Sequence, residues 1–256
     1  MARSMDDDSL AGERMKAGKR SGPTVAPLGD GAVLLTIADT LDLDANALAR
    51  RVALEIRGQG PDWVTDVIPA LVTVAVCFAA RTAREAGERR ATLERMLLDA
   101  LDRAAGARVD APARTVEIPV CYEPAFAPDL AEVARRTGLA PGRVVELHVA
   151  APHRVLMIGF APGHPYIGGL DPQLAVPRRA APRLRMEAGS VAIANAQTSI
   201  YPFATPGGWN VIGRTPLALF DPERDPASLL EPGDAVAFVP IARAEFERIA
   251  RQQRTP

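Results

Sequence analysis

A chain of 256 residues with 48% hydrophobic and 24% charged content is long enough for two modest cores, which excludes disorder along its whole length. With 30 basic and 31 acidic residues the formal net charge is −1, so no overall field draws the chain to nucleic acid or to an anionic membrane. The longest apolar run, 68–80, carries Pro69 and Thr73 and is too short to cross a bilayer.

Residues 1–23 are charged throughout, lack the apolar stretch of a secretory signal, and are expected to be a disordered tail. A strand is predicted over 32–37 (AVLLTI) after the turn pair Asp30-Gly31. A helix follows, with Leu41, Ala45, Leu48, Val52 and Ile56 at three- and four-residue spacing, and Gly58, Gly60 and Pro61 end it. Two strands are expected in 62–79, where alternating positions of 71–78 leave both faces largely apolar. A second helix over 91–104 aligns Leu93, Leu97, Leu101 and Ala104, and 114–120 (RTVEIPV) reads as a last strand. The order strand, helix, strand, strand, helix, strand predicts a ferredoxin-like βαββαβ domain over 24–120, with both helices on one face of a four-stranded sheet.

Beyond it, 121–153 holds two short helical pieces, around 130–137 and 142–148, read as a connector. From 154 to 242 helical periodicity disappears, and short apolar runs (VLMIGF, SVAIANAQ, VIGRTPLALF, GDAVAFVPI) alternate with Gly and Pro turns, the pattern of a β-barrel. The remaining 243–256 reads as a charged, partly frayed helical tail. The fold class is therefore α+β: a ferredoxin-like domain followed by a β-barrel.

Cys77 and Cys121 each lie in an apolar stretch, so a disulfide framework is not expected, buried thiols are, and the cytoplasm is the default compartment. Lys16 and Lys19, both in the tail, are the only lysines. A P-loop lysine, a Schiff-base lysine and a biotin-acceptor lysine are thereby excluded from the folded part. The histidines His148, His153 and His164 show no metal-ligand spacing, so no metal site is predicted. His148 sits near a predicted helix end, where dipole compensation is an alternative role.

Candidate chemistry concentrates in 159–214. The group Arg178, Arg179, Arg183 and Arg185, with Arg214 ending the tract, could form a forked-donor site for carboxylate or phosphate, or be solvated charges between prolines. His164, between Gly163 and Pro165, is placed for ligand contact or proton transfer, a loop structural role being the alternative. Gln197, Thr198, Tyr166, Tyr201 and Trp209 complete the candidate set.

The strings GFAPGHPYIGGLD (159–171), PRRAAPRLRMEAGSVAIANAQTSIYPFATPGGWNVIGRTPLALFDP (177–222) and LEPGDAVAFVPI (230–241) resemble the carboxyltransferase C/D-type family, whose members include the 5-oxoprolinase B subunit, allophanate hydrolase subunit 1 and histidine-kinase inhibitors. The resemblance covers nearly the whole chain after the tail, weakly to about 113 and strongly over 116–241. It implies a cyclophilin-like C-terminal barrel and two partners: a C subunit with a related barrel, similar to allophanate hydrolase subunit 2, and an A subunit. Glu123-Pro124-Ala125 departs from the family's Gly-Gly-Glu, His164 stands where Phe is frequent, and Asn195 stands where Gly is common.

The implied reaction is ATP-dependent opening of 5-oxo-L-proline to L-glutamate, with ATP and Mg at a site shared with or supplied by the partners. In that reading the lactam oxygen is phosphorylated and water attacks the activated carbon. Arg178, Arg183, Arg185 and Arg214 stabilise phosphate charge, His164, Gln197, Tyr201 and Arg214 take the catalytic roles, and Gly163, Tyr166, Thr198 and Trp209 line the site. The alternatives are a non-catalytic inhibitor of a histidine kinase and a component of an allophanate or urea amidolyase system.

Overall fold

The computed structural model describes residues 22–106 and 114–253. The expected tail therefore lies almost entirely outside the described residues. Two sheets with separate cores carry the chain.

The first sheet holds β1 (Thr24–Pro27), β2 (Ala32–Thr36), β3 (Val64–Pro69) and β4 (Thr73–Phe78), all antiparallel in the order β1-β2-β4-β3. Helix α1 (Leu43–Gln59) connects β2 to β3, and Asp42 caps it by accepting from the Ala45 N–H at 2.8 Å. Helix α2 (Ala83–Ala105) follows β4 and starts two turns earlier than its apolar stripe, at a Thr82 cap, because its first turns (AREAGERR) are charged. Val52 and Ile56 of α1, Leu93 and Leu97 of α2, and Val33, Leu35, Val74 and Val76 of the sheet share one core, so both helices cover the same face. Thr73, Ala75 and Cys77 point the other way and are only half-buried, unlike the two buried faces and buried thiol expected.

The strand predicted to complete this sheet does not join it. β5 (Thr115–Val120) runs parallel to β13 (Ala235–Pro240) along its whole length, Thr115 opposite Ala235 and Val120 opposite Pro240. The edge beside β2 is taken by β1, which reaches it through a short local turn at a much smaller loop-closure cost than a strand arriving from beyond α2. The ferredoxin-like order is thus corrected to ββαββα, with a hairpin strand at the edge. Periodicity could show that 115–120 is a strand but not which sheet it would enter. Arg114 then clamps β5 in place, its Nε and Nη2 meeting buried Asp234 at 3.0 and 2.9 Å.

The second sheet runs β12 (Asn210–Arg214), β9 (Ser190–Ala194), β10 (Gln197–Ile200), β7 (Pro165–Gly168), β6 (Arg154–Ile158), β13, β5. It nearly closes on itself. Cys121, just past β5, exchanges two backbone hydrogen bonds with Arg214 of β12, at 2.9 and 3.0 Å. Gly213 permits the approach, since a Cβ there would lie 2.6 Å from the Val120 side chain. Helices α3 (Leu130–Thr137) and α4 (Pro141–Ala150) are part of this unit rather than a bare connector: Val133, Ala134, Val144 and Leu147 join the same core as Ile118, Ile167, Ile193 and Ile212. A two-stranded ribbon, β8 (Arg183–Met186) with β11 (Thr205–Gly207), lies over the outer face of β9, β10 and β12, burying Met186 against Ala192, Tyr201 and Val211. The C-terminal segment forms α5 (Arg243–Gln252), whose Phe246 packs on Phe126 with ring centroids 4.5 Å apart.

Asn46, buried on α1, ties the two units: its Nδ2 donates to the carbonyls of Leu71 at 2.8 Å and Leu156 of β6 at 3.1 Å. Asp129, at the start of α3, ties the ribbon to the barrel. Its carboxylate accepts from Arg179 at 2.6 Å, from both terminal nitrogens of Arg183 at 2.6 and 2.8 Å, and from the Val211 N–H at 2.8 Å. Removing one partner of such a buried ion group strands the others, so Asp129→Ala is expected to cost about 3 kcal/mol of stability. A urea titration checks this by a lowered midpoint, with Arg185→Ala, on an exposed pair with Glu187, as the variant that leaves the midpoint unchanged.

Candidate functional site

A cleft opens on the outer face of the barrel, beside the β8–β11 ribbon, lined by Phe160, His164, Tyr166, Arg178, Tyr201 and the Pro206–Trp209 segment. Strand alternation explains which residues reach it. Along β10 and just past it, Gln197, Ser199 and Tyr201 point outward, while Thr198 and Ile200 point into the barrel. β7 lies beside β10, with Tyr166 opposite Ser199. The β6–β7 loop folds back over this face through a Gly159 N–H to His164 carbonyl bond of 3.1 Å, which seats His164 above Ser199.

His164 is buried, and its Nε2 lies 2.8 Å from Ser199 Oγ, which is itself fully buried. Its Nδ1 is also buried and, among the described residues, meets no hydrogen-bond partner. Three aromatic rings surround it, Phe160, Tyr166 and Tyr201, with centroids at 5.2, 5.3 and 5.1 Å. Burial pushes its pKa down to about 4, so the ring is neutral at pH 7. Burial likewise raises Tyr201, with Tyr166 adding to the rise and Arg178 opposing it.

Arg178 lies over the indole of Trp209, 5.8 Å from the ring centroid, and is solvent-facing. Among the described residues no carboxylate or carbonyl holds it. The other predicted arginines are occupied elsewhere. Arg183 is tied to Asp129, whose hydrogen bond raises its pKa; Arg185 pairs with Glu187 at 2.8 Å; Arg214 donates to the Ala188 carbonyl at 2.8 Å. These three line a second depression with Phe126, Met186 and Val211. The four arginines therefore do not form one oxyanion site.

Phe160 bounds the cleft in an unusual way. It is 68% exposed and held at φ 72°, a backbone region costly for an aromatic residue.

Three further candidates stand outside the cleft lining. Thr198 faces the barrel interior, where its hydroxyl lies 3.3 Å from His148 Nε2, and His148 Nδ1 lies 3.0 Å from the Tyr122 hydroxyl. His148 is thus a fully buried core residue rather than a helix-end cap, and burial depresses its pKa well below the ordinary value. Gly163 shapes the loop: at φ 69°, a Cβ would come 2.7 Å from Phe220. Gln197 projects from the outward face without reaching the cleft lining, and its buried Nε2 has no partner. Ser199, Phe160 and Asp129 were not singled out by sequence reasoning. Ser199 was open to inference, since it lies two residues before Tyr201 on the same strand face. Asp129 carried no signal, because its partners lie 50 and 54 residues away.

The profile of the carboxyltransferase domain, subdomain C and D, matches residues 23–230. The chain belongs to that family. It is 37% identical over 226 residues to the 5-oxoprolinase B subunit of Bacillus subtilis, covering 87% of this chain and 94% of that one. It is 51% identical over 152 residues to the 5-oxoprolinase B subunit of Escherichia coli O157:H7, covering 57% of this chain and 70% of that one. The urea carboxylase of Kluyveromyces lactis shares the fold at TM-score 0.69 and 20% identity over 90% of this chain, which spans 23% of that protein. For this carboxyltransferase-type chain, family membership agrees with the nearly closed seven-stranded barrel of the second sheet.

Burial lowers the pKa of all three histidines. A base whose folded pKa lies below its unfolded value of about 6.5 leaves the unfolded chain binding more protons in between, so stability is intact above 6.5 and falls as pH drops toward the folded pKa. For His164 the window runs from 6.5 to about 4, and the loss across it is about 3 kcal/mol. Denaturant titrations at pH 7, 6, 5 and 4 check this, with His164→Phe expected to flatten the decline.

Proposed function

We propose that this chain is the B subunit of an ATP-dependent 5-oxoprolinase, a hydrolase complex that opens 5-oxo-L-proline to L-glutamate together with its A and C subunits. The observation that carries the reading is that the Bacillus subtilis relative, itself named as a 5-oxoprolinase B subunit, is matched over 94% of its length. The chemistry of the cleft supports it. 5-Oxoproline is a small ring bearing one carboxylate and one neutral amide. The cleft offers a cation that no carboxylate or carbonyl holds among the described residues, Arg178, beside an aromatic enclosure that also holds a neutral imidazole.

The role of this chain in that reaction is to bind and orient the lactam acid. Arg178 takes the carboxylate, the rings of Tyr166 and Trp209 flank the lactam ring, and the neutral His164 faces the neutral amide without adding a charge. Arg179 and Arg183 are engaged by Asp129, Arg185 by Glu187 and Arg214 by the Ala188 carbonyl, an arrangement that does not favour a triphosphate cradle built by the described residues alone. ATP and Mg are accordingly assigned to a site built with groups from the partner subunits, and the chain alone is inactive.

Glutamate release from 5-oxoproline and ATP, measured with this chain alone and with its A and C partners added, tests the assignment. Activity is expected only in the mixture, and Arg178→Ala is expected to raise KM for 5-oxoproline at least about tenfold by removing a charge-assisted hydrogen bond. A formed complex that releases no glutamate would overturn the reading.

A further inference from the structure

The buried pair His164–Ser199 has a hydrogen-bonding balance that settles which proton the imidazole carries. Ser199 Oγ is fully buried, and His164 Nε2, 2.8 Å away, is its partner. If Nε2 held the proton and donated to Oγ, the serine O–H would lack an acceptor and the Nδ1 lone pair would lack a donor. If instead the serine O–H donates to Nε2, the proton sits on Nδ1 and one group is left over: a buried N–H donor without a partner. The second arrangement leaves one unsatisfied group instead of two and is the one the site favours.

We infer that Ser199 is a positioning residue that holds His164 in the Nδ1–H tautomer, and that this N–H is the donor for a neutral carbonyl oxygen on a ligand whose carboxylate is taken by Arg178. The inference rests on the functional reading above and refines it: the cleft recognises small acids with a carbonyl, and the lactam oxygen is the group His164 meets. Three features converge on this. The unpartnered nitrogen belongs to a side chain that is 3% exposed, in a residue lining the cleft. Phe160, Tyr166 and Tyr201 surround the ring, and among the described residues no protein group meets that nitrogen. Phe160 holds a costly left-handed backbone conformation at the cleft rim, where strain commonly accompanies a binding role. Neither the ring nitrogen nor the serine changes charge on binding, so recognition of the carbonyl is by hydrogen bonding and of the acid by Arg178.

The test uses the full chain labelled with 15N at its histidines, of which there are three, so His164→Phe assigns the resonance by its loss. His164 is expected to show the Nδ1–H pattern, and Ser199→Ala is expected to shift it toward a mixture of tautomers while the His148 and His153 signals stay in place, reporting an intact barrel. An Nε2–H pattern in the parent chain would overturn the inference. Binding is then measured with three probes: 5-oxo-L-proline, 2-pyrrolidinone, which keeps the carbonyl without the acid, and cyclopentanecarboxylate, which keeps the acid without the carbonyl. His164→Phe is expected to weaken the first two about tenfold, the loss of one hydrogen bond in a dry site, and to leave the third unchanged. Arg178→Ala is expected to weaken the first and third. If 5-oxoproline leaves the His164 signal unmoved but the open-chain carbonyl acid succinamate shifts it, the inference stands and the 5-oxoprolinase reading fails. If neither 5-oxoproline nor succinamate moves the Nδ1 signal, the inference fails whatever the assembled complex catalyses.

Discussion

The buried carboxylate of Asp129 is the constraint on which the site depends. It accepts from Arg179, from Arg183 and from the Val211 backbone, and so joins the start of α3, the approach to β8 and the barrel strand β12 at one point. That junction adds an ionic tie to the packing of the β8–β11 ribbon, whose Met186 is buried against Ala192, Tyr201 and Val211 of the barrel face. The carboxylate also decides which arginine is available. Residues 178 and 179 are neighbours, and with Arg179 drawn to Asp129 the extended backbone turns Arg178 the other way, onto Trp209.

Two buried histidine arrangements show how the same residue type serves different ends in one barrel. Inside, His148 is bracketed by Tyr122 and Thr198, and both of its ring nitrogens have partners. Outside, His164 has Ser199 on one nitrogen and nothing on the other. A satisfied core network contributes uniqueness to the packing, whereas the incomplete one beside the cleft is the group on which the proposed ligand role rests. The one-residue alternation of β10, with Thr198 facing in and Ser199 facing out, separates these two environments.

The same geometry explains why this chain fits the part of one component in a larger hydrolase. A cleft that sets the exposed Arg178 beside a neutral imidazole suits binding of a small acid. In the proposed role, the driving force and charge stabilisation for cleaving a stable amide come from elsewhere in the complex. The relatives at 37% and 51% identity are named as B subunits, and the same fold occurs at 20% identity within a much longer chain.

Much of the local architecture was legible in the sequence, because amphipathic spacing and turn residues act over a few positions. The helices at 43–59 and 130–137, the strands at 32–36 and 73–78, and the Gly- and Pro-punctuated barrel strands all follow from that. The strings that mark the family were legible too, and they pointed to His164, Tyr166, Arg178, Tyr201 and Trp209, which the fold does bring to one cleft. What only the tertiary structure decided was pairing across long separations. β5 joined the barrel because β13 offered it a parallel partner 120 residues away, and a nearby hairpin strand had taken the edge it was expected to fill. Arg183 was removed from the candidate phosphate site by a carboxylate 54 residues distant, and Ser199 acquired its partner from a loop 35 residues back. A side chain's type states what it can bind. Which partner reaches it first is set by the packing of the whole chain, and no short-range pattern carries that information.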